Sequence, residues 1–264
     1  MDIKDIKKPK MSIKRRVQVF VIAAILIYLY YVAFTMTDLT YRGSSLSPLN
    51  VFERLFIGPF TDEVALSKIP EYIMYMVETV AIAYAGTLIA AVLAIPFGFL
   101  SASNMSKVSY IGKAILNGIR AFPEIMLAII FVAAVGMGPY AGVLAIGIHS
   151  IGMLGKLYAE VIESIDMKVI EALKANGANP IQVMWFGVIP QVIPSFSSYA
   201  IYRYEIDVRS STILGVVGAG GIGAPLILAS LQRKWEEVGM MLIVIIVVVT
   251  IIDLISGKIR AKIV

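Results

Sequence analysis

The chain alternates long apolar segments with short polar connections, and this alternation limits what it can fold into more than any other feature. A helix of about 20 predominantly apolar residues matches the hydrocarbon thickness of a bilayer. Six such segments are read, at about residues 17–36, 72–100, 111–135, 140–158, 193–217 and 238–255. Of the 264 residues, 59% are hydrophobic and 16% charged, whereas about a quarter of a soluble globular chain is charged. With most of the chain in spans, a large soluble domain has no room. The expected fold is an all-α, polytopic membrane protein with six transmembrane helices.

A formal net charge of +5 suggests nucleic acid only until its distribution is seen. Lys4, Lys7, Lys8, Lys10, Lys14, Arg15 and Arg16 crowd the first sixteen positions, directly before an apolar run, where basic residues set membrane orientation. With the N-terminus inside, fifteen Lys and Arg fall in inner segments or, as Lys113 and Lys156 do, at the inner ends of spans, and five in outer segments, among them Arg42, Arg54 and Lys68. Both termini are therefore expected in the cytoplasm of a cell-membrane protein. The apolar stretch at 17–34 exceeds a secretory h-region of about 7–15 residues, so an uncleaved first span is expected. Cysteine is absent, which removes disulfides, thiolate metal sites and cysteine nucleophiles.

The connection between the fourth and fifth spans carries strong local grammar. Ser164 or Asp166 is placed to cap a short helix through Met167, Val169, Ile170 and Leu173 that ends at Asn176-Gly177, with glycine at the left-handed C′ position. Asn179, Pro180 and Gln182 then have the N-cap, N1 and capping-box places of a second helix, and Pro190 and Pro194 mark the start of span five. This helix-turn-helix, with few charges and exposed Met and Ile, is an amphipathic surface loop or a docking surface for a soluble partner.

The same residues carry a resemblance. The EAA loop of ABC-importer permeases reads Glu-Ala-Ala, three residues, Gly, nine residues, then Ile-x-Leu-Pro. Glu171, Ala172, Gly177 and Pro190 match in register; Leu173 replaces the second alanine, Gly187 the isoleucine and Ile189 the leucine. Arg120-Ala-Phe-Pro123-Glu124 and the run from Glu205 to Gly223 look like the phosphonate branch. The chain thus resembles a phosphonate-type importer permease of the type I (methionine-permease-like) fold. The methionine-uptake branch, which has a similar glycine-rich segment, is the alternative within the family. The resemblance implies a basic tail at 1–16, a first helix and outer loop at 17–71 and a core permease domain at 72–264 with its coupling loop at about 161–190. It also implies cytoplasmic ATPase subunits that use ATP-Mg, a second permease subunit and an extracytoplasmic substrate-binding protein. No cofactor, metal or nucleic acid is expected on this chain, and no G-x-x-x-x-G-K-[ST] motif is present.

Charges inside spans call for a partner or a wet cavity. Glu205 and Arg209, four apart, share a helix face with Ser198, Tyr202 and Thr212, and this face is expected to form a pathway or gate around a Glu205–Arg209 pair. Arg203 and Asp207 form a second pair on another face. Arg120 and Glu124 flank Pro123 as a charge pair and hinge, with Glu78 a partner for one of the arginines. His149 is expected to be a buried, hydrogen-bonded histidine. Gly218 to Gly223 fits G-x-G-x-x-G but lacks the strand-helix context of a dinucleotide site, so a tight turn or close helix approach is expected instead. An intramembrane enzyme is the rival class, and catalytically spaced interfacial Asp or His residues are missing; a channel or secondary transporter leaves the docking grammar without a purpose.

Overall fold

A computed structural model describes residues 13–36 and 47–263. The basic tail to residue 12 and the connection at 37–46, with Arg42, lie outside the described residues. The chain divides into two compact units, 1–47 and 48–264. In the first, α1 (Ile13–Met36) starts before the expected residue 17 and takes in Lys14, Arg15 and Arg16. Residues 48–71, grouped in sequence with the first span, belong to the second unit.

That unit opens with α2 (Pro48–Phe56) and α3 (Glu63–Ser67), the latter capped by Asp62, whose carboxylate accepts the Ala65 N–H at 2.7 Å. The 33 residues of α4 (Ile69–Ser101) span about 50 Å at 1.5 Å per residue, more than the hydrocarbon thickness. The expected third span is two helices, α5 (Ser109–Ala121) and α6 (Glu124–Val135), bent by 80°. Pro123 disfavours the helical region at the residue before it, and Phe122 is extended (φ −83°, ψ 124°). Next come α7 (Pro139–Glu163) and α8 (Met167–Ala175). A single turn, α9 (Pro180–Gln182), runs through a π-helical segment, Val183–Val188, into α10 (Ile189–Leu214). After a glycine-rich turn, α11 (Gly223–Leu231) and α12 (Trp235–Ile263) complete the unit.

Among the described residues α1, α4, α7 and α12 are long and apolar enough to cross a bilayer, and the bent α5–α6 pair makes a fifth candidate. The expected fifth span, α10, has 26 residues, but Arg203, Glu205, Asp207 and Arg209 make it too polar to qualify by composition. The glycine turn behaves as expected of a turn: Gly218, Gly220 and Gly221 have φ of 85°, 85° and 76°, a region costly for side-chain-bearing residues. The Gly221 N–H donates to Glu78 Oε1 at 3.2 Å and the Ile222 N–H to Thr79 Oγ1 at 2.9 Å. Glu78 therefore holds the turn instead of pairing with an arginine.

At the centre α4 and α7 run parallel, with Gly142 beside Ile82, Gly86 beside Ile146 and Gly98 beside Tyr158. Parallel neighbours need a return crossing, which α5 and α6 supply. The approach is close because small residues meet, as in membrane helix pairs generally: Ala83, Ala90, Ala94, Ala141 and Ala145 are fully buried. A Cβ on Gly98 would lie 2.8 Å from Tyr158 Cβ, and one on Gly86 2.7 Å from Ile146 Cγ2. Tyr158 in turn stacks on Phe196 of α10, ring centroids 3.9 Å apart. At the opposite end Arg54 grips Glu236 through two bonds of 2.6 and 3.0 Å, and Lys68 and Tyr72 converge on Glu237 at 2.9 and 3.1 Å.

Gly86→Val should force the α4–α7 seam apart and cost about 1–3 kcal/mol, the usual range for overpacking. Thermal unfolding of detergent-purified protein checks this; an unchanged midpoint would refute the close approach.

Candidate functional site

Two constructions stand out: the loop between α7 and α10, and a charge cluster on α10. In the loop Asp166, not Ser164, caps α8, its carboxylate accepting the Lys168 N–H at 2.9 Å. Gly177 ends the turn at φ +79°, and Asn179 and Gln182 form the expected reciprocal capping box, both bonds 2.8 Å. Ile170 is buried, whereas Met167, Val169, Glu171 and Ala172 are exposed. The loop thus turns a partly apolar, unpartnered face outward and is anchored by Ile170.

Its attachment to α10 explains two departures from the EAA pattern. A Cβ on Gly187 would meet Leu173 Cδ1 at 2.9 Å, so the larger residue at 173 fits only because the residue at 187 is small. Gln191 closes the joint: its side chain accepts the Asp166 N–H at 2.9 Å and donates to the Gly187 carbonyl at 2.6 Å. Pro190, the other matched residue, is exposed at the start of α10 directly after the π segment. Proline offers no N–H to the helical ladder, and π segments in helices arise where the ladder is disturbed.

Inside the bundle Arg203, 4% exposed, lies among four helices. Its Nη2 is 2.8 Å from Asp207 Oδ1 and 3.7 Å from Glu124 Oε2 of α6. Its Nε donates to Ser150 Oγ of α7 at 2.9 Å and its Nη1 to Met153 Sδ at 3.1 Å. Asp207, fully buried, also accepts from Thr87 of α4 at 2.7 Å and Ser150 at 2.9 Å. The expected Arg203–Asp207 pair is therefore present, and it is the centre of a network the sequence did not reveal. Two carboxylates share one guanidinium. His149, half-buried, has Nε2 4.0 Å from Glu124 Oε2, and its Nδ1 has no hydrogen-bond partner among the described residues. It lies beside a carboxylate of another helix, which spacing along its own helix did not disclose.

Two expected pairs are absent. Glu205 and Arg209 do not pair with each other. Glu205 accepts from Arg260 of α12 at 2.8 Å, and Arg209 binds Asp253 of α12. Tyr202 lies under the Arg260 guanidinium at 5.5 Å; Ser198 is half-buried, and Thr212 is tied to the Arg209 carbonyl at 2.6 Å. Partners on α12 outcompete the neighbour one turn along because they neutralise each charge across a helix–helix seam. The sequence signal was Asp253, the one acid within the last span. Arg120 and Glu124 do not pair either: the break at Pro123 separates them, and Glu124 turns to Arg203. Arg120 makes no ion pair among the described residues.

The stoichiometry makes a prediction. Arg203→Met leaves the buried Asp207 and the partly buried Glu124 uncompensated and should cost about 3–5 kcal/mol. Asp207→Asn keeps the Arg203–Glu124 charge balance and acceptors for Thr87 and Ser150, so about 1–2 kcal/mol is expected. Equal loss of thermal stability in the two purified variants would refute the shared-cation arrangement.

Residues 94–263 match the binding-protein-dependent transport system inner membrane component family. A phosphite transport system permease protein of Stutzerimonas stutzeri is 44% identical over 192 residues, 72% of this chain and 70% of that protein. A putative phosphite transport system permease protein of the same organism is 34% identical over 256 residues, 95% of this chain and 89% of that protein. Methionine import permeases are more distant, one from Bacillus subtilis being 26% identical over 163 residues, 60% of this chain and 73% of that protein. In fold, a chain of the inward-facing MetNI methionine ABC transporter superposes with a TM-score of 0.66 at 20% identity, covering 77% of this chain and 99% of that one. With the EAA-type loop in register and the type I importer fold in place, this chain belongs to the family of binding-protein-dependent transport system inner membrane components, the permease subunits of ABC importers.

Proposed function

We propose that the chain is the membrane-spanning permease subunit of an ATP-driven importer that moves phosphite, phosphonates or related phosphorus oxyanions across the cytoplasmic membrane. The observation that carries this reading is the 44% identity to a phosphite permease over most of both chains. The lower identity to methionine permeases makes methionine the second choice of cargo. The proposal includes separate cytoplasmic ATPase subunits using ATP-Mg, a second permease subunit, identical or homologous, and an extracytoplasmic binding protein. The loop at 164–179 and both termini lie in the cytoplasm.

In this reading α8 fits a groove of the ATPase through Met167, Val169, Glu171 and Ala172. When the ATPase closes, α8 moves; Gln191 and the Leu173–Gly187 contact pass the displacement to α10, whose length carries it to Arg203. Motion of α10 then strains the seam to α12, where Glu205–Arg260 and Arg209–Asp253 form a gate with Ser198, Tyr202 and Thr212 alongside. The Arg209 side chain is 53% exposed, so a passing anion can compete with Asp253 for it.

The joint is testable apart from the docking face. Gly187→Ile, which leaves the exposed surface of α8 unchanged, should overpack against Leu173 by about 1–3 kcal/mol and uncouple ATP hydrolysis from phosphite uptake. Adding Leu173→Ala should restore coupling by returning the family's size order. Glu171→Lys should uncouple by inverting charge at the ATPase contact, with no rescue from position 173. Reconstituted complexes assayed for uptake per ATP decide between these outcomes; normal coupling in both Gly187→Ile and Glu171→Lys would sink the coupling role.

A further inference from the structure

Exposed side chains on α4 and α12 are mainly apolar, such as Leu88, Ile89 and Val92 on one and Ile246, Val247 and Ile251 on the other. Lipid contact requires this. On α5 and α7 the rule breaks. Lys113, Asn117 and Arg120 follow one another at helical spacing on the exposed face of α5. On α7 the only face left uncovered along its second half carries His149, Met153, Lys156, Glu160 and Glu163. Ionisable groups in membrane spans face a bundle interior or a water-filled space. These are not in the interior of this chain's bundle.

The two stripes form one surface. Gly152 has no Cβ, so the Arg120 stem lies against α7; a Cβ there would meet Arg120 Cγ at 2.8 Å. Lys113 reaches Glu163 at 3.0 Å. Between the helices lie an opening of ≈ 250 Å³ at Lys113, Asn117 and Glu163 and another of ≈ 390 Å³ lined by Arg120, His149, Met153, Lys156, Leu157 and Glu160. Lys156 and Glu160 line both, so the openings adjoin. From Glu163, beside the coupling loop, to His149 is fourteen residues, about 21 Å of helix.

Charge along this lane is graded. At the loop end Lys113 is matched by Glu163, and midway Lys156 stands 3.8 Å from Glu160. At the deep end His149 stands 4.0 Å from Glu124, whose charge is already taken by Arg203, while Arg120 pairs with no carboxylate among the described residues, and its place in the last turn of α5 is where a helix favours a cation. We infer that this lane is the cytoplasmic half of the translocation passage, and that Arg120, with Lys156 and His149, is a docking station for the oxyanion in transit. The inference rests on the cargo reading above. Guanidinium offers the paired donors that phosphorus-bound oxygens accept. Glu160 beside Lys156 keeps the hold weak, as passage requires release.

Because the chain has no cysteine, Leu157→Cys and Asn117→Cys serve as single reporters in the full importer reconstituted in inverted vesicles. An anionic, membrane-impermeant methanethiosulfonate should label them several-fold faster than a cationic one, less than the enhancement of about tenfold or more given by a cleft of one charge sign, because Glu160 and Glu163 offset part of the positive charge. Inorganic phosphite should slow the labelling. Arg120→Gln should abolish the preference and cut phosphite uptake by about tenfold or more, with the complex assembled and its ATPase still stimulated by the loaded delivery protein. Arg120→Lys should keep the preference and recover only part of the uptake. Reporters inert to hydrophilic reagents, equal rates for both reagents, or full uptake by Arg120→Gln would each overturn the inference. A wild-type complex that shows the anionic preference but moves no phosphite leaves the anion station standing and overturns the cargo reading instead.

Discussion

The second unit is organised around one guanidinium. A charged side chain at mid-membrane costs about 2.5–3.5 kcal/mol on insertion scales, and α10 carries four of them between positions 203 and 209. Arg203 offsets much of that cost by meeting Asp207 on its own helix, Glu124 on α6 and Ser150 on α7, while Thr87 on α4 holds Asp207 in place. One cation thereby fastens four helices. The remaining charges, Glu205 and Arg209, are neutralised from α12. A helix too polar to enter the membrane alone becomes its centre once both sets of partners are present.

That centre is joined by continuous packing to the loop between α7 and α10. Ile170, Leu173 and Gln191 bind α8 to the start of α10, and twelve residues of helix, about 18 Å, separate Gln191 from Arg203. Tyr158 stacked on Phe196 ties the same stretch to α7. Packed side chains and a helical run that contains Pro194 therefore connect α8 to the charge cluster. The π segment and the two prolines lie at the base of that run, where lost ladder bonds leave room for a bend.

The break at Phe122-Pro123 serves two ends. It lets the chain return between the parallel α4 and α7, and it separates Arg120 from Glu124 so that each meets a different environment. Glu124 enters the buried cluster; Arg120 remains on the exposed face of α5. A continuous helix through this region would have kept them within reach of each other, and Glu124 would not have reached Arg203.

Residue order alone determined four of the six spans, the loop and its caps, though not the bend within the third span or the partners that seat the polar fifth. These depend on apolar run length, on Asp166, Gly177, Asn179 and Gln182, and on short-range backbone geometry that neighbours in sequence decide. The family, too, was legible from Glu171, Ala172, Gly177 and Pro190 in their place between two spans. The charge partners were not. Spacing along one helix pointed to Glu205–Arg209 and Arg120–Glu124, and the first gave way to Arg260 and Asp253 on a helix some fifty residues away, the second to Arg203. In a bilayer each charge seeks the best neutralisation that any neighbouring helix offers, and which helices are neighbours is settled only by tertiary packing, here by the close approach of α4 and α7 and the bend between α5 and α6.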